Sequence, residues 1–161
     1  MTTKRVYIGL GSNLADPVEQ LNIALESIAS LPATQLIQTS SFYGSKPLGP
    51  QDQPDFINAV CEIQTELTPA DLLKELQTIE LEQGRIKKRH WGERLIDLDI
   101  LLFGEEVIDT PDLIVPHSQI TLRDFVLIPL AEIAPGLVIP QKGEISELIS
   151  QLQESYLMTV N

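Results

Sequence analysis

At 161 residues the chain is long enough to bury a core without staples, and reads most simply as one domain spanning 1–161. Its 43% hydrophobic and 21% charged content is ordinary for a soluble globular protein, and no apolar run approaches the roughly 20 residues a bilayer demands. A formal net charge of −12 argues against nonspecific binding to nucleic acid or anionic membrane, and the single cysteine, Cys61, excludes an internal disulfide. Met1 to Arg5 leads straight into a strand-like run without a secretory signal, so a cytoplasmic location is expected.

Val6 to Leu10 reads as a first strand, ending in a Gly11-Ser12-Asn13 turn. Asp16 then has the place of a helix N-cap, with Pro17 at the first helical position and Glu19 spaced for a capping box. Leu21, Ala24, Leu25, Ile28 and Leu31 form the apolar stripe of that helix. Thr34 to Tyr43 reads as a second strand and Phe56 to Thr65 as a third, separated by a loop rich in Gly, Pro, Gln and Asp. A second helix starts at Thr68-Pro69, buries Leu72, Leu73, Leu76 and Ile79, and is expected to stop at Gly84. Arg94 to Phe103 is a fourth strand, after which Gly104-Glu105-Glu106 looks like a hairpin turn into Val107-Ile108. Residues 124 to 134 read as a helix with Pro129 near its first turn, followed by a short strand from Leu137 to Ile139 and a helix from Ile145 to Leu152. The order βαββαβ predicts an α+β fold of ferredoxin-like type, an antiparallel sheet with helices packed on it, extended by a C-terminal strand and helices.

The fourth strand holds two carboxylates in a hydrophobic run. Strand periodicity puts Asp97 and Asp99 on one face with Leu95, Leu101 and Phe103, and Ile96, Leu98, Ile100 and Leu102 on the other. Like charges that close repel each other and lose hydration unless cations answer them, and a pair of divalent metals would do so. An isolated D-x-D is as readily a turn cap beside a surface salt bridge, but this one follows a dense basic run. Arg85, Lys87, Lys88, Arg89 and Arg94 place five of the eleven cationic residues within ten positions, with His90 and Trp91 among them. A concentrated basic loop in an acidic chain suits one compact polyanion, and cations plus metals around one site are what nucleotide triphosphate chemistry requires.

Phe56 and Asn58, two apart, share a strand face; a ring beside an amide suits a flat heterocycle, although alone Phe56 reads as core and Asn58 as a side chain that satisfies a turn. Gln77 and Glu80 are neighbours bordering the apolar stripe of the second helix, where amphipathic edging is the plainer reading. His117 and Arg123 bracket a short turn as a pair that can bind phosphate but is usually structural when isolated. Neither a P-loop nor a dinucleotide fingerprint occurs, and Gly9 with Gly11 is too short a glycine pattern to use.

With these residues in place, the sequence resembles the hydroxymethyldihydropterin pyrophosphokinases of folate biosynthesis. The matching blocks are residues 7–14, 47–51 with 56–59, 77–80 with Gly84-Arg85, 91–94, 96–101, 115–117 and 123–130. R-x-I-D-L-D-I-L with a downstream P-H is the most specific of them. The resemblance implies transfer of an intact pyrophosphoryl group from ATP to the pterin's hydroxymethyl oxygen, releasing AMP. It implies two magnesium ions on Asp97 and Asp99, and catalytic cations at Arg85 and Arg94. It implies nucleotide contacts from Gln77, Glu80, Trp91, His117 and Arg123, and a pterin pocket of Ser45, Leu48, Phe56, Asn58 and Phe125. Lys46, Lys87 and Ser118 depart from the family's pattern. The expected partners are two small molecules acting on a monomer, with no nucleic acid and no membrane. The rival readings are a two-metal enzyme that transfers the nucleotidyl group instead, and a noncatalytic module that binds nucleotide or pterin.

Overall fold

The computed structural model describes residues 3–13, 16–46, 55–85, 95–153, 155 and 157–158. Strand β1 (Lys4–Ser12) is followed by α1 (Pro17–Ala29), β2 (Thr34–Thr39), β3 (Tyr43–Ser45), β4 (Phe56–Thr65), α2 (Pro69–Arg85) and β5 (Asp97–Phe103). β4 and β5 flank β1, and β2 and β3 both pair with the far edge of β4, every pairing antiparallel. This is the expected ferredoxin-like arrangement.

Each face of the sheet is buried. Val6, Ile8, Cys61, Ile63, Ile96, Leu98 and Ile100 meet Leu21, Ala24 and Ile28 of α1 and Leu72, Leu76 and Ile79 of α2 on one side. Burial pushes the Cys61 thiol up to about 12, so it stays a neutral core group. On the other side Tyr7, Val60, Leu101 and Leu102 pack against Val126, Leu127 and Leu130 of α3 (Asp124–Ile133) and Ile145 and Leu148 of α4 (Ile145–Ser150). Two short ribbons complete the layers: β6 (Ile108–Asp109) with β7 (Ile114–Val115) packs Val115 and Ile108 into the first cluster, and β8 (Val138–Ile139) with β9 (Gly143–Glu144) packs Ile139 into the second.

Several local expectations are corrected. Thr34 to Tyr43 is not one strand: it breaks at Ser40, whose N–H donates to the Val60 carbonyl at 2.8 Å while its hydroxyl accepts the Val60 N–H at 2.9 Å. The side chain there does the work of a backbone acceptor, and the chain turns before β3. Asp16 adopts a left-handed backbone (φ 63°) and its carboxylate caps nothing, so the capping box with Glu19 does not form. A missing N-cap costs about 1 kcal/mol, whereas one buried leucine contributes about 2 kcal/mol; packing of Leu21, Ala24 and Ile28 therefore holds α1. Helix α2 runs through Gly84 to Arg85 rather than stopping there. The turn at Gly104 leads into β6, which pairs with β7 and not back onto β5. Pro129 falls in the second turn of α3, where its ring cannot donate to the Phe125 carbonyl. A last strand, β10 (Leu157–Met158), unforeseen in the sequence, adds to β3.

The correction that matters most for the site lies in β5. Tyr7 pairs with Leu102 and Ile8 with Ile100, so Leu101 is an extra, bulged residue. Alternation slips there by one. Phe103 joins Ile96, Leu98 and Ile100 on the α1/α2 side, and Leu102 joins Leu101 on the opposite side, exchanging the places that strict alternation assigns them.

Candidate active site

The site grows out of the register of three strands. Gly11 of β1 stands between Asn58 of β4 and Asp97 of β5, and Gly9 stands between Val60 and Asp99. Residues directly opposite share a face, so Asn58, Gly11 and Asp97 form one row across the sheet and Val60, Gly9 and Asp99 the next. β3 continues the first row with Tyr43 opposite Asn58, and sets Ser45 opposite Phe56. Two glycines at the centre leave this floor flat and low, with taller side chains on either side.

Over it lies a cavity of about 240 Å³ lined by Gly9, Gly11, Ser45, Lys46, Phe56, Asn58, Asp97, Asp99, Leu101, His117, Arg123, Phe125 and Val126. Eight of the residues singled out in the sequence are thus brought together: Asp97, Asp99, His117, Arg123, Ser45, Phe56, Asn58 and Phe125. Gln77 is exposed on α2 and Glu80 is half-buried, neither in the cavity wall. Glu80 instead accepts the Leu98 N–H at 2.8 Å. Leu98 lies between the two aspartates on a strand that ends the sheet, so Glu80 fixes the open edge of the segment that presents them. Leu48, Trp91 and Arg94, the Arg85 side chain, and the cations between Arg85 and Arg94 lie outside the described residues.

The Leu101 bulge delivers His117. Its carbonyl accepts the His117 N–H at 3.0 Å, and the imidazole Nε2 then lies 3.9 Å from Asp99 Oδ2. Nδ1 accepts the Gln119 N–H at 3.1 Å, which places the proton of a neutral ring on Nε2. Burial lowers the His117 pKa from the ordinary 6.5, the Asp99 charge opposes this, and the Arg123 charge reinforces it. At neutral pH His117 is therefore an uncharged N–H donor aimed at the aspartate side of the cavity. Arg123 lies over the Phe125 ring at 5.6 Å, a cation–π contact that keeps its guanidinium at the mouth. Asn58 Nδ2 donates to Ser45 Oγ at 2.6 Å, joining the two polar groups of the aromatic end.

Asp97 and Asp99 suit magnesium. Among the described residues no group of three or more His, Cys, Asp or Glu could hold a metal by itself. Mg²⁺ does not ask for one: it takes one or two carboxylates, keeps several waters and accepts substrate phosphate oxygens. Two half-exposed carboxylates beside an open cavity meet that demand.

The sequence reading gives Gly9, Gly11, Leu101 and Lys46 no role in the site. The signal available was the spacing of the glycines, two apart in a strand, which marks a place where something approaches the backbone closely.

Helix α3, which roofs the cavity, is tied down at both ends. Asp124 Oδ2 accepts the Leu157 N–H at 3.0 Å, and Glu132 accepts the Tyr43 hydroxyl at 2.6 Å and the Ser41 hydroxyl at 2.8 Å. Burial raises the Glu132 pKa, but the bonds from Tyr43 and Ser41 outweigh it and hold the carboxyl below 4.5; burial and Glu132 push the Tyr43 phenol up to about 12. A depressed carboxylate stabilises the fold fully above its unfolded value of 4.5 and loses that contribution as pH falls through the folded value. The difference in Tm between the wild type and Glu132→Gln should therefore shrink as pH is taken from well above 4.5 to well below it, as read by thermal melts along a pH series.

A carboxylate pair suited to magnesium, a neutral N–H donor and an arginine at one end, and a slot between aromatic rings at the other, suit a transferase that moves phosphoryl groups from a nucleotide to a flat acceptor. Residues 7–135 match the family described as 7,8-dihydro-6-hydroxymethylpterin-pyrophosphokinase (HPPK), and the chain belongs to it. It is 56% identical over 155 residues to the 2-amino-4-hydroxy-6-hydroxymethyldihydropteridine pyrophosphokinase of Haemophilus influenzae, covering 96% of this chain and 97% of that one. With the protein of the same name from Pseudomonas aeruginosa the identity is 52% over 147 residues, 91% of each chain. Among solved structures, the HPPK-DHPS of Plasmodium falciparum (A437G, with STZ-DHP) superposes with a TM-score of 0.74 at 13% identity, covering 93% of this chain but 45% of that longer one. At such identity the likeness is one of fold. The family's activity is ATP-dependent pyrophosphoryl transfer in folate biosynthesis. No helix among the described residues is long and apolar enough to cross a membrane.

Proposed function

We propose that the chain moves the β,γ-pyrophosphoryl group of ATP to the hydroxymethyl oxygen of 6-hydroxymethyl-7,8-dihydropterin in one in-line step at this cavity. The acceptor oxygen bonds to Pβ as the bond from Pβ to the oxygen bridging Pα breaks; AMP leaves and the hydroxyl proton is lost. The observation that carries this reading is the strand register, which sets Gly11 between Asn58 and Asp97 and so joins an aromatic, amide-edged slot to a carboxylate pair.

Phe56 and Phe125 enclose the pterin ring, with Asn58 and Ser45 at its polar edge. Asp97 and Asp99 hold two magnesium ions. Bound there, magnesium supplies charge neutralisation for the triphosphate. His117 offers its Nε2–H, and Arg123 its guanidinium, to phosphate oxygens. No side chain in the cavity need form a covalent intermediate, since positioning and charge stabilisation account for such transfers. The enzyme works as a single-domain monomer in the cytoplasm.

The test is product analysis. AMP should appear only when ATP, magnesium and the hydroxymethyldihydropterin are all present. Release of pyrophosphate would convert the reading to nucleotidyl transfer, and tight binding without turnover would reduce the chain to a binding module.

A further inference from the structure

Phe125 and Glu132 are seven residues apart on α3, two helical turns, so they share one stripe about 10 Å apart along the axis. Tyr43 and Ser45, two apart on β3, likewise share a face. Helix and strand thus meet at two corners. At one, Ser45 and Phe125 look across the open cavity. At the other the gap is closed: Glu132 Oε1 accepts the Tyr43 hydroxyl at 2.6 Å, Oε2 accepts the Ser41 hydroxyl at 2.8 Å, and both oxygens share the Ser41 N–H at 3.0 Å. One carboxylate collects three donors from the segment that ends in Ser45. Neither Glu132 nor Tyr43 lines the cavity.

We propose that Glu132 is a positioning residue for the pterin slot: by fixing the C-terminal end of α3 to β3 it sets the gap between Phe125 and the wall of Ser45, Phe56 and Asn58. This rests on the reading of that slot as the pterin pocket. The Phe125 end is braced separately through Asp124 and Leu157, which pairs with Ser45, so losing Glu132 lets the helix tilt instead of detaching it. A tilt is enough. A flat ring held by dispersion forfeits roughly a quarter to a half of the contact when a gap of about 0.5–1 Å opens beside it. At the nucleotide end the β1–β5 ladder and the Leu101 carbonyl hold Asp97, Asp99 and His117 without α3, and Arg123, the N-cap of α3, sits at the end braced through Asp124, away from Glu132. The effect is therefore selective for the pterin.

The experiment measures dissociation constants of full-length wild type, Glu132→Gln, Tyr43→Phe, the double variant and Phe125→Ala. The probes are hydroxymethyldihydropterin in the presence of magnesium and a nonhydrolysable ATP analogue, and the analogue alone. Glu132→Gln should weaken the pterin about tenfold and Tyr43→Phe about threefold, with analogue binding within about twofold of wild type. The double variant should be no weaker than Glu132→Gln, because both substitutions remove one shared contact. If Phe125→Ala weakens the pterin while Glu132→Gln lowers only Tm, Glu132 is a brace and the proposal falls with the slot reading intact. If Phe125→Ala leaves the pterin unaffected, the slot reading fails and takes the proposal with it. Should Glu132→Gln not fold, Tyr43→Phe decides: unchanged pterin affinity overturns the proposal.

Discussion

Asp97→Asn and Asp99→Asn should each lower turnover by about 10²- to 10³-fold while leaving Tm close to that of the wild type, because one preorganised charge-stabilising group at a reacting centre contributes on that scale. The amide keeps the size of the carboxylate and removes its charge, so the substitution isolates electrostatics. The backbone keeps both residues in place: Asp97 is half-buried, Asp99 exposed, and both stay in the β1 ladder through backbone bonds opposite Gly11 and Gly9. Two carboxylates on one strand face repel each other, so neutralising one relieves the other. Extra magnesium should recover part of the loss for either variant if the remaining carboxylate still binds an ion. Asp99→Asn has a second signature. Its charge is what draws the His117 pKa upward against burial and Arg123, so without it His117 should titrate at lower pH still, as followed by the imidazole proton resonances. Near-wild-type turnover in either variant at saturating magnesium would remove the carboxylates from the reaction.

Much of this was legible in the chain because local periodicity carries it. Residues 56–65 form a strand end to end as read, and the spacing of Asp97 and Asp99 does put both on the cavity face. Where the reading departs, a contact distant in sequence has overridden a local preference. Alternation through Leu101, Leu102 and Phe103 gives no hint of a bulge, since all three are apolar and either face would accept them. The break at Ser40 depends on Val60, twenty residues on, and the hydroxyl that replaces a ladder acceptor is invisible without the partner strand. His117 could be paired with Arg123 by proximity, but its approach to Asp99 follows from the carbonyl that the bulge turns toward it. Glu132 drew no notice as one acidic residue among 23 Asp and Glu, because its donors, Ser41 and Tyr43, lie some ninety positions away. Gly9 and Gly11 are too short a pattern for a nucleotide fingerprint, but a strand makes a different use of that spacing.

That use yields a second large effect: Gly11→Val should abolish pterin binding, by about 100-fold or more, without weakening the nucleotide or the fold. A Cβ at position 11 would lie 3.1 Å from Asn58 Oδ1 and 3.8 Å from Phe56 Cδ1, so the amide must move, and the two γ-methyls of valine would then stand on the cavity floor. Sites that hydrogen-bond a polar substrate edge lose factors of roughly 10² to 10⁴ when that pairing is denied, since the buried amide is left without its partner. The backbone raises no objection: Gly11 is paired on both sides within β1, and valine favours a pleated strand by up to about 1 kcal/mol over glycine. Moving the buried Asn58 amide strains its bond to Ser45 and offsets that gain, so thermal stability should change little. Gly9→Ala is the internal control. The three heavy atoms nearest a Cβ there all belong to the Leu101 side chain, at 3.4–3.6 Å, ordinary contact with a flexible group, and pterin affinity should change by no more than about threefold. Calorimetric titration of pterin into each variant with magnesium and a nonhydrolysable nucleotide separates the two. Equal losses at both glycines would mean that the floor tolerates no side chain anywhere, and that the contact with Asn58 has no special part in recognition.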